Sequence, residues 1–464
     1  MSTGAGYNRR ELLRRAAGLT ALAVTGGPLL AACAGGGGGT TGGATAVASS
    51  ATNPLGVDGS APLEVVIFKG GFGDDYAKAF EGLYAKTYSA AKITHTPTQD
   101  ITGLLQPRFN GGSPPDVVDD SGAKQIKLDV LHKAGQLADL TALLDAPYLD
   151  DPSRKVRDVL QPGTVEHGSF DGKMYSLNYV YSVSGLWYSG KLFKEKGWTA
   201  PKTWAEFITL CGTIKAAGVA PFCHQGKYPY YINVAIMDLL ARQGGREIIT
   251  RVDQLDTTVW DGPEAKAAIS AIYQLVDQDY LLPGTNGMTH TEAQTAWNQY
   301  KAAFVPCGSW LENEQLKLTP DDFEMTFLPM PSLPGDKLPP TSLRAGADEP
   351  FIVPAKAKNV AGGMEFLRMM LTKAGAGQFA QQANAVTVLK DGIGPEVKLR
   401  PGTKSAVAAL GAAGTEVFNY DYPNTQSAFD IELGNASTEL MANRIKPEEW
   451  LKRAKAAAEK AKKA

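Results

Sequence analysis

Histidine and cysteine are both scarce in this chain of 464 residues, with five of the first and four of the second. Neither recurs at a spacing that could hold zinc, and no acidic run has the spacing of a calcium-binding loop, so no metal is expected. Glycine-rich cofactor fingerprints are missing too. Gly71-Phe72-Gly73 lacks the third glycine of a dinucleotide motif, and the run from Gly185 to Gly190-Lys191 places Leu192 where a phosphate loop requires Ser or Thr. Without His-Glu-x-x-His or Gly-x-Ser-x-Gly, the common signatures of metalloproteases and α/β hydrolases are absent, and no cofactor is called for. Charge is nearly balanced at -2, with no basic stripe to neutralise phosphates, which argues against a nucleic-acid partner. The apolar stretch 16 to 32 is short and broken by glycine, too poor to span a membrane comfortably.

What the first 33 residues do contain is an address. Residues 8 to 15 read NRRELLRR, the small apolar stretch follows, and Leu30-Ala31-Ala32-Cys33 closes it. This is the order of an export signal, residues 1 to 32. Its end resembles the lipobox of bacterial lipoproteins, which implies that Cys33 is lipid-modified and anchors the mature protein outside the cytoplasm, on the cell membrane. Leu12-Leu13 stands where twin-arginine signals more often carry Phe-Leu, so the export route stays open between the twin-arginine and general pathways. With Cys33 so engaged, Cys211, Cys223 and Cys307 remain, an odd number. Cys211 and Cys223 can close a short loop, or all three can stay buried thiols.

Length calls for about two to three domains, and a composition 44% hydrophobic and 20% charged is that of a globular protein. Residues 33 to 61 are too rich in Gly, Ala, Thr and Ser to bury a core and read as a tether. The body begins near Pro62. There LEVVIFKGGFGDD predicts a strand, a glycine-rich turn, and a helix capped at Asp74 with Tyr76, Phe80, Leu83 and Tyr84 on one face. A second strand over 91–96, a helix over 98–110 and a third strand at Pro115-Asp116-Val117-Val118 follow, the last ending in Asp119-Asp120-Ser121. This alternation is α/β, a class whose ligands bind at the carboxyl ends of strands. Further helices are expected over 231–243, 263–279 and 290–303, strands around Phe304, over 323–329 and from Phe351, and a proline-started helix at the C-terminus.

Residues 171 to 211 organise the rest. An aromatic extended run from Tyr179 to Tyr188 passes into a short linker and then into the capping box Thr203-Trp204-Ala205-Glu206 behind Pro201. The order Gly-Lys-x-Tyr, then Trp-Tyr-x-x-Lys-Leu-Phe, Gly-Trp, Pro and Thr-Trp-x-Glu-Phe resembles the hinge-crossing segment of sugar-binding lipoproteins that feed ABC importers. Pro115-Asp116-Val117-Val118, the segment Ala302 to Trp310, Phe327-Leu328-Pro329, Phe351-Ile352-Val353-Pro354 and the terminal helix keep the order of that family over residues 62–464. Within it the chain looks most like the binding components of N-acetylglucosamine and diacetylchitobiose importers.

The resemblance implies a two-lobed periplasmic-binding-protein fold of type II, each lobe with its own sheet, with crossings near Val180–Ser184, Phe327–Pro331 and Ala385–Leu389. Lobe one would comprise 62–182 and 331–386, and lobe two 183–330 and 387–464. It further implies a carbohydrate ligand, ABC permease partners and a monomer. A sugar presents flat apolar faces rimmed by hydroxyls, so its site needs aromatic platforms and paired hydrogen-bonding groups. The candidate platforms are Phe72, Tyr179, Tyr181, Tyr228, Tyr230 and Trp310; the polar candidates are Asp74, Asp119, Asp120, Gln225, Arg344, Asp348 and Glu349. Trp310 matches the tryptophan the family commonly places under a sugar ring, whereas Trp187, Tyr188, Trp198 and Trp204 are expected in the core. The same carboxylates keep a glycosidase as the alternative, although adjacent Asp119-Asp120 and Asp348-Glu349 point to opposite faces and neither pair alone can flank a glycosidic bond.

Overall fold

A single strand of 13 residues, Leu177–Ser189, runs through the middle of the molecule and is buried along almost its whole length. At about 3.3 Å per residue it spans roughly 43 Å, far enough to serve two bodies at once. The computed structural model describes residues 47–390, 392 and 397–463. Cys33 and the export signal therefore lie outside the described residues, as does the tether up to residue 46.

The first body opens with β1 (Leu63–Phe68), α1 (Asp75–Thr87), β2 (Ile93–Thr98), α2 (Ile101–Asn110), β3 (Val117–Asp119) and α3 (Leu128–Lys133). Its strands are parallel, and α1 buries Tyr76, Phe80 and Tyr84 against them, with Leu83 half-buried at the margin. The helix starts after Asp74 without a side-chain cap, because the Asp74 carboxylate is taken by Lys69, Lys78 and His95. Folding also starts earlier than Pro62. Asn53 clasps Val57 through two hydrogen bonds of 3.0 and 2.8 Å, Val57 is buried, and Leu55 packs on this body's core.

The central strand is β4 (Leu177–Ser189). The second body then adds α4 (Trp204–Ala216), β5 (Ala220–Phe222), α5 (Tyr230–Gly244), α6 (Pro263–Asp277), α7 (His290–Asn298), β6 (Ala302–Gly308) and β7 (Met325–Leu328). The capping box that starts α4 is formed as read from the sequence: Glu206 N donates to Thr203 Oγ1 at 3.3 Å and Thr203 N donates to Glu206 Oε2 at 3.1 Å. A second long strand, β8 (Leu343–Ile352), pairs with β4 antiparallel and leads back to α8 (Val360–Met370) and α9 (Lys373–Ala383). The chain finishes in α10 (Pro401–Ala413), β9 (Val417–Phe418), α11 (Ser427–Met441) and α12 (Pro447–Ala461).

One nine-stranded sheet holds these parts, in the order β2-β1-β3-β8-β4-β6-β5, with β7 also on β4 and β9 also on β8. The two bodies thus share a continuous sheet through β4 and β8 instead of each carrying a separate one. Residues 331–342 stay with the second body, since Ser332 pairs with Lys202 and Trp204, and Arg242 donates to Pro340 O. The second change of side consequently falls inside β8 and not near Phe327–Pro331. Val388 still packs in the first core, so the third change comes after it. Cys211, Cys223 and Cys307 are buried free thiols, and the Cys211–Cys223 bond is not formed.

Candidate ligand-binding cleft

Strand alternation decides what the cleft receives. In the register of β4 against β8, Val183 lies opposite Ala345, Ser182 opposite Gly346 and Val180 opposite Asp348. Ser182, Ser184, Arg344, Gly346 and Asp348 therefore share one face of the sheet, and Tyr181, Val183, Ala345 and Ala347 share the other. On the first face the strands are cross-linked by side chains. Ser182 Oγ donates to Asp348 Oδ2 at 3.2 Å and Arg344 Nη1 donates to Ser184 Oγ at 3.0 Å.

Above that floor stand aromatic rings from the second body. A narrow pocket is lined by Ser184, Tyr230, Tyr231, Asp238, Gly308 and Trp310. Tyr230 and Tyr231 come from the first turn of α5, and Trp310 follows β6, its ring folded back over Gly308. A side chain at position 308 would collide with that ring, a Cβ there coming within 1.9 Å, so glycine is required by close approach. Trp310 also reaches the first body, lying against Gly71, while Asn313 Nδ2 donates to Gly71 O at 2.5 Å. On the far side Ser427 Oγ meets Asp129 Oδ2 at 2.9 Å and Lys127 meets Asp430 at 3.2 Å. The bodies thus touch on both flanks of the floor.

Of the residues picked from sequence, Tyr230, Trp310, Arg344 and Asp348 are brought together here. Asp120 lies on the same face at the end of β3, fully buried, with Oδ1 accepting from Ile126 N at 2.9 Å and Oδ2 unpartnered. Tyr228 is half-buried beside His290, 5.3 Å away. The others lie elsewhere. Tyr179 is sealed in the first core with its hydroxyl on Met370 O at 2.8 Å, and Phe72 packs on Phe379 at 5.6 Å, so neither presents a ring to the cleft. Gln225 is buried behind β6, its Nε2 donating to Pro306 O at 2.7 Å. Tyr181 faces a second small cavity on the opposite side of β4, with Val183, Ser309 and Val386.

Asp74, Asp119 and Glu349 are likewise removed from the floor. Asp74 is held down to about 2, against the effect of burial, by hydrogen bonds from Lys69, Lys78 and His95. Asp119 accepts from Tyr76 at 2.7 Å and from Ser121 at 2.5 Å, and it hydrogen-bonds Glu349. Burial pushes Asp119 up to about 7 and, with the Asp119 charge beside it, pushes Glu349 up as well. Two carboxyls bonded to each other leave no room for a glycosidic bond between them, which needs a separation of about 5 Å or more.

A model of bacterial extracellular solute-binding proteins matches residues 71–377. The chain belongs to that family. As a solute-binding protein it is 38% identical to the diacetylchitobiose binding protein NgcE of Streptomyces coelicolor over 379 residues, 81% of this chain and 80% of that one. It is 25% identical to a multiple sugar-binding protein of Streptococcus mutans, over 61% of this chain and 64% of that one. Among solved structures, a chitin oligosaccharide binding protein superposes with a TM-score of 0.68 at 20% identity, covering 84% of this chain and 94% of that one. These likenesses make the molecule a two-lobed binding protein and not an enzyme. No helix among the described residues is long and apolar enough to cross a membrane.

Several polar groups of this solute-binding protein's floor escaped the sequence reading. Ser182 and Ser184 sit at every second position of an otherwise apolar strand, a signal that period-two alternation could have supplied. Tyr231 adjoins a residue that was chosen. Asn419 and Tyr420 lie in a short connection with no periodicity, yet the Tyr420 ring is 5.0 Å from the Arg344 guanidinium. Burial works against the charge of Arg344, and the nearby Asp348 carboxylate favours it. Burial pushes the Tyr230 hydroxyl up to about 12, so it stays a neutral donor.

Proposed function

We propose that this protein captures a carbohydrate, N-acetylglucosamine or a short chitooligosaccharide, by closure of its two lobes and delivers it to an ABC importer. The observation that carries the reading is the floor of paired polar groups, Ser182 with Asp348 and Ser184 with Arg344, set beneath Tyr230, Tyr231 and Trp310. Such a site offers donors and acceptors to hydroxyls and rings to the apolar face of a pyranose, as sugars require. Likeness to a diacetylchitobiose binding protein over four-fifths of the chain supports this choice of sugar. We further propose that Cys33 carries lipid, which keeps the protein on the outer face of the cell membrane as a monomer.

Calorimetric titration with mono- and oligosaccharides tests the first part. Chitooligosaccharides are expected to bind and to raise the melting temperature by mass action; binding by none of them would refute the assignment of the sugar. For the second part, Cys33→Ala is expected to release the protein from membranes, as judged by fractionation. Equal retention of the variant would refute the anchor.

A further inference from the structure

Arg344 is 5% exposed, yet no acid among the described residues forms an ion pair with it. Nη1 is on Ser184, the guanidinium rests near the Tyr420 ring, and Nε has no partner. The neighbouring acids are engaged elsewhere. Asp238 pairs with Arg242 at 2.7 Å, and Asp348 accepts from Ser182 Oγ and from Glu349 N. A buried donor left in this condition costs free energy until something accepts from it.

A matching acceptor is left over on the same floor. Asn419 lies directly on Gly346, where a Cβ would stand 2.4 Å from its Nδ2, and its Oδ1 is buried without a partner. Gly346 is the residue between Arg344 and Asp348 on that face, and its missing side chain is what lets Asn419 come so close. One unpaired donor, Arg344 Nε, and one unpaired acceptor, Asn419 Oδ1, on the same face of the ribbon form the complement of a secondary amide, which offers one carbonyl oxygen and one N–H. A hydroxyl at the same place can serve either group as partner but satisfies the pair less well, and an ammonium group brings a second positive charge beside Arg344.

We propose that Arg344 and Asn419 are the specificity-determining pair of the cleft, Arg344 donating to the carbonyl oxygen of an acetamido group and Asn419 Oδ1 accepting from its N–H. This rests on the sugar-binding reading above and specifies which substituent the cleft selects. The pair contributes to discrimination and does not hold the fold together, since Asn419 makes no side-chain hydrogen bond within the protein.

The test uses three disaccharides that share one β-1,4-linked skeleton and differ only at carbon 2: diacetylchitobiose, its fully deacetylated counterpart and cellobiose. Titration calorimetry on the purified protein is expected to favour the acetamido form over both others by about 10- to 100-fold, the effect of a buried charge-assisted hydrogen bond. Asn419→Ala and Arg344→Gln should each shrink that preference by tenfold or more. Asn419→Ala is expected to leave the melting temperature nearly unchanged, so its result counts even if Arg344→Gln does not fold. An unchanged preference in Asn419→Ala overturns the proposal. Tight binding of all three sugars without preference by the unaltered protein overturns the pair alone. Failure of all three to bind while an unrelated sugar binds tightly overturns the pair together with the choice of ligand.

Discussion

The two faces of the β4–β8 ribbon are made from neighbouring residues and behave in opposite ways. On the cleft face Asp348 is half-buried and meets Ser182, while one residue along, Glu349 turns to the back and hydrogen-bonds Asp119. Asp119 and Asp120 divide in the same manner between the back and the front. Each acidic doublet that looks like one feature in the sequence is thus two features in space. The back face keeps its carboxyls out of water and satisfies them internally through Tyr76 and Ser121, whereas the front face leaves buried donors and acceptors unpaired. On this ribbon the satisfied carboxyls serve folding, and the unpaired groups are left available to a ligand.

The sharpest way to break this contrast is to exchange the roles of aromatic rings on the two sides. Tyr179→Ala, on the back, should lower folding stability by about 3 to 5 kcal/mol, as loss of a buried ring does, when followed by urea denaturation. Trp310→Ala, at the front, should instead weaken sugar binding by about 2 to 4 kcal/mol, or about 30- to 1000-fold, with a smaller loss of melting temperature. If Trp310→Ala lowered stability as much as Tyr179→Ala and left affinity intact, the front ring would be a packing residue like the back one. The smallest expected effect concerns protons. Asp119 binds a proton up to about pH 7 in the folded chain, against 3.8 when unfolded. The stability this contributes is fully present below about pH 4 and is lost as pH rises through 7. Asp119→Asn removes the Asp119 share of the titration and leaves that of Glu349, so its melting temperature should gain on that of the unaltered protein between pH 5 and pH 8; a constant difference would mean that Asp119 does not titrate in that range.

Much of the scaffold was legible because local rules and tertiary packing agree there. Thr203 and Glu206 cap α4 reciprocally whatever surrounds them, and β1 and α1 announce themselves by apolar period. The helices α10 and α11 were missed, the first being dominated by alanine and glycine with no strong period to read, the second although Phe429, Leu433, Ala436 and Leu440 recur at helical spacing on its buried face. The site was harder. Tyr179 and Tyr230 are the same residue type near strand or helix starts, and only the fold separates them, the sheet register turning Tyr179 into the core and the first turn of α5 bringing Tyr230 to the cleft. Gln225 was chosen for its chemistry, but its amide serves the backbone of Pro306. Asn419 carried no signal at all, since what singles it out is its contact with Gly346 across some 70 residues of chain.

The crossings also bear on how occupancy is communicated. Because β4 and β8 are both the floor of the cleft and the connection between the bodies, the bonds from Ser182 to Asp348 and from Arg344 to Ser184 tie together the two strands about which the lobes must turn. A molecule resting on the floor alone, without reaching either wall, already interacts differently with each degree of twist between those strands. Binding energy and lobe angle are linked at that point directly, with no relay of intervening side chains. The angle between the bodies is then a readout of the floor itself, and a ligand too short to bridge the walls would still shift it, in proportion to how strongly it grips the ribbon.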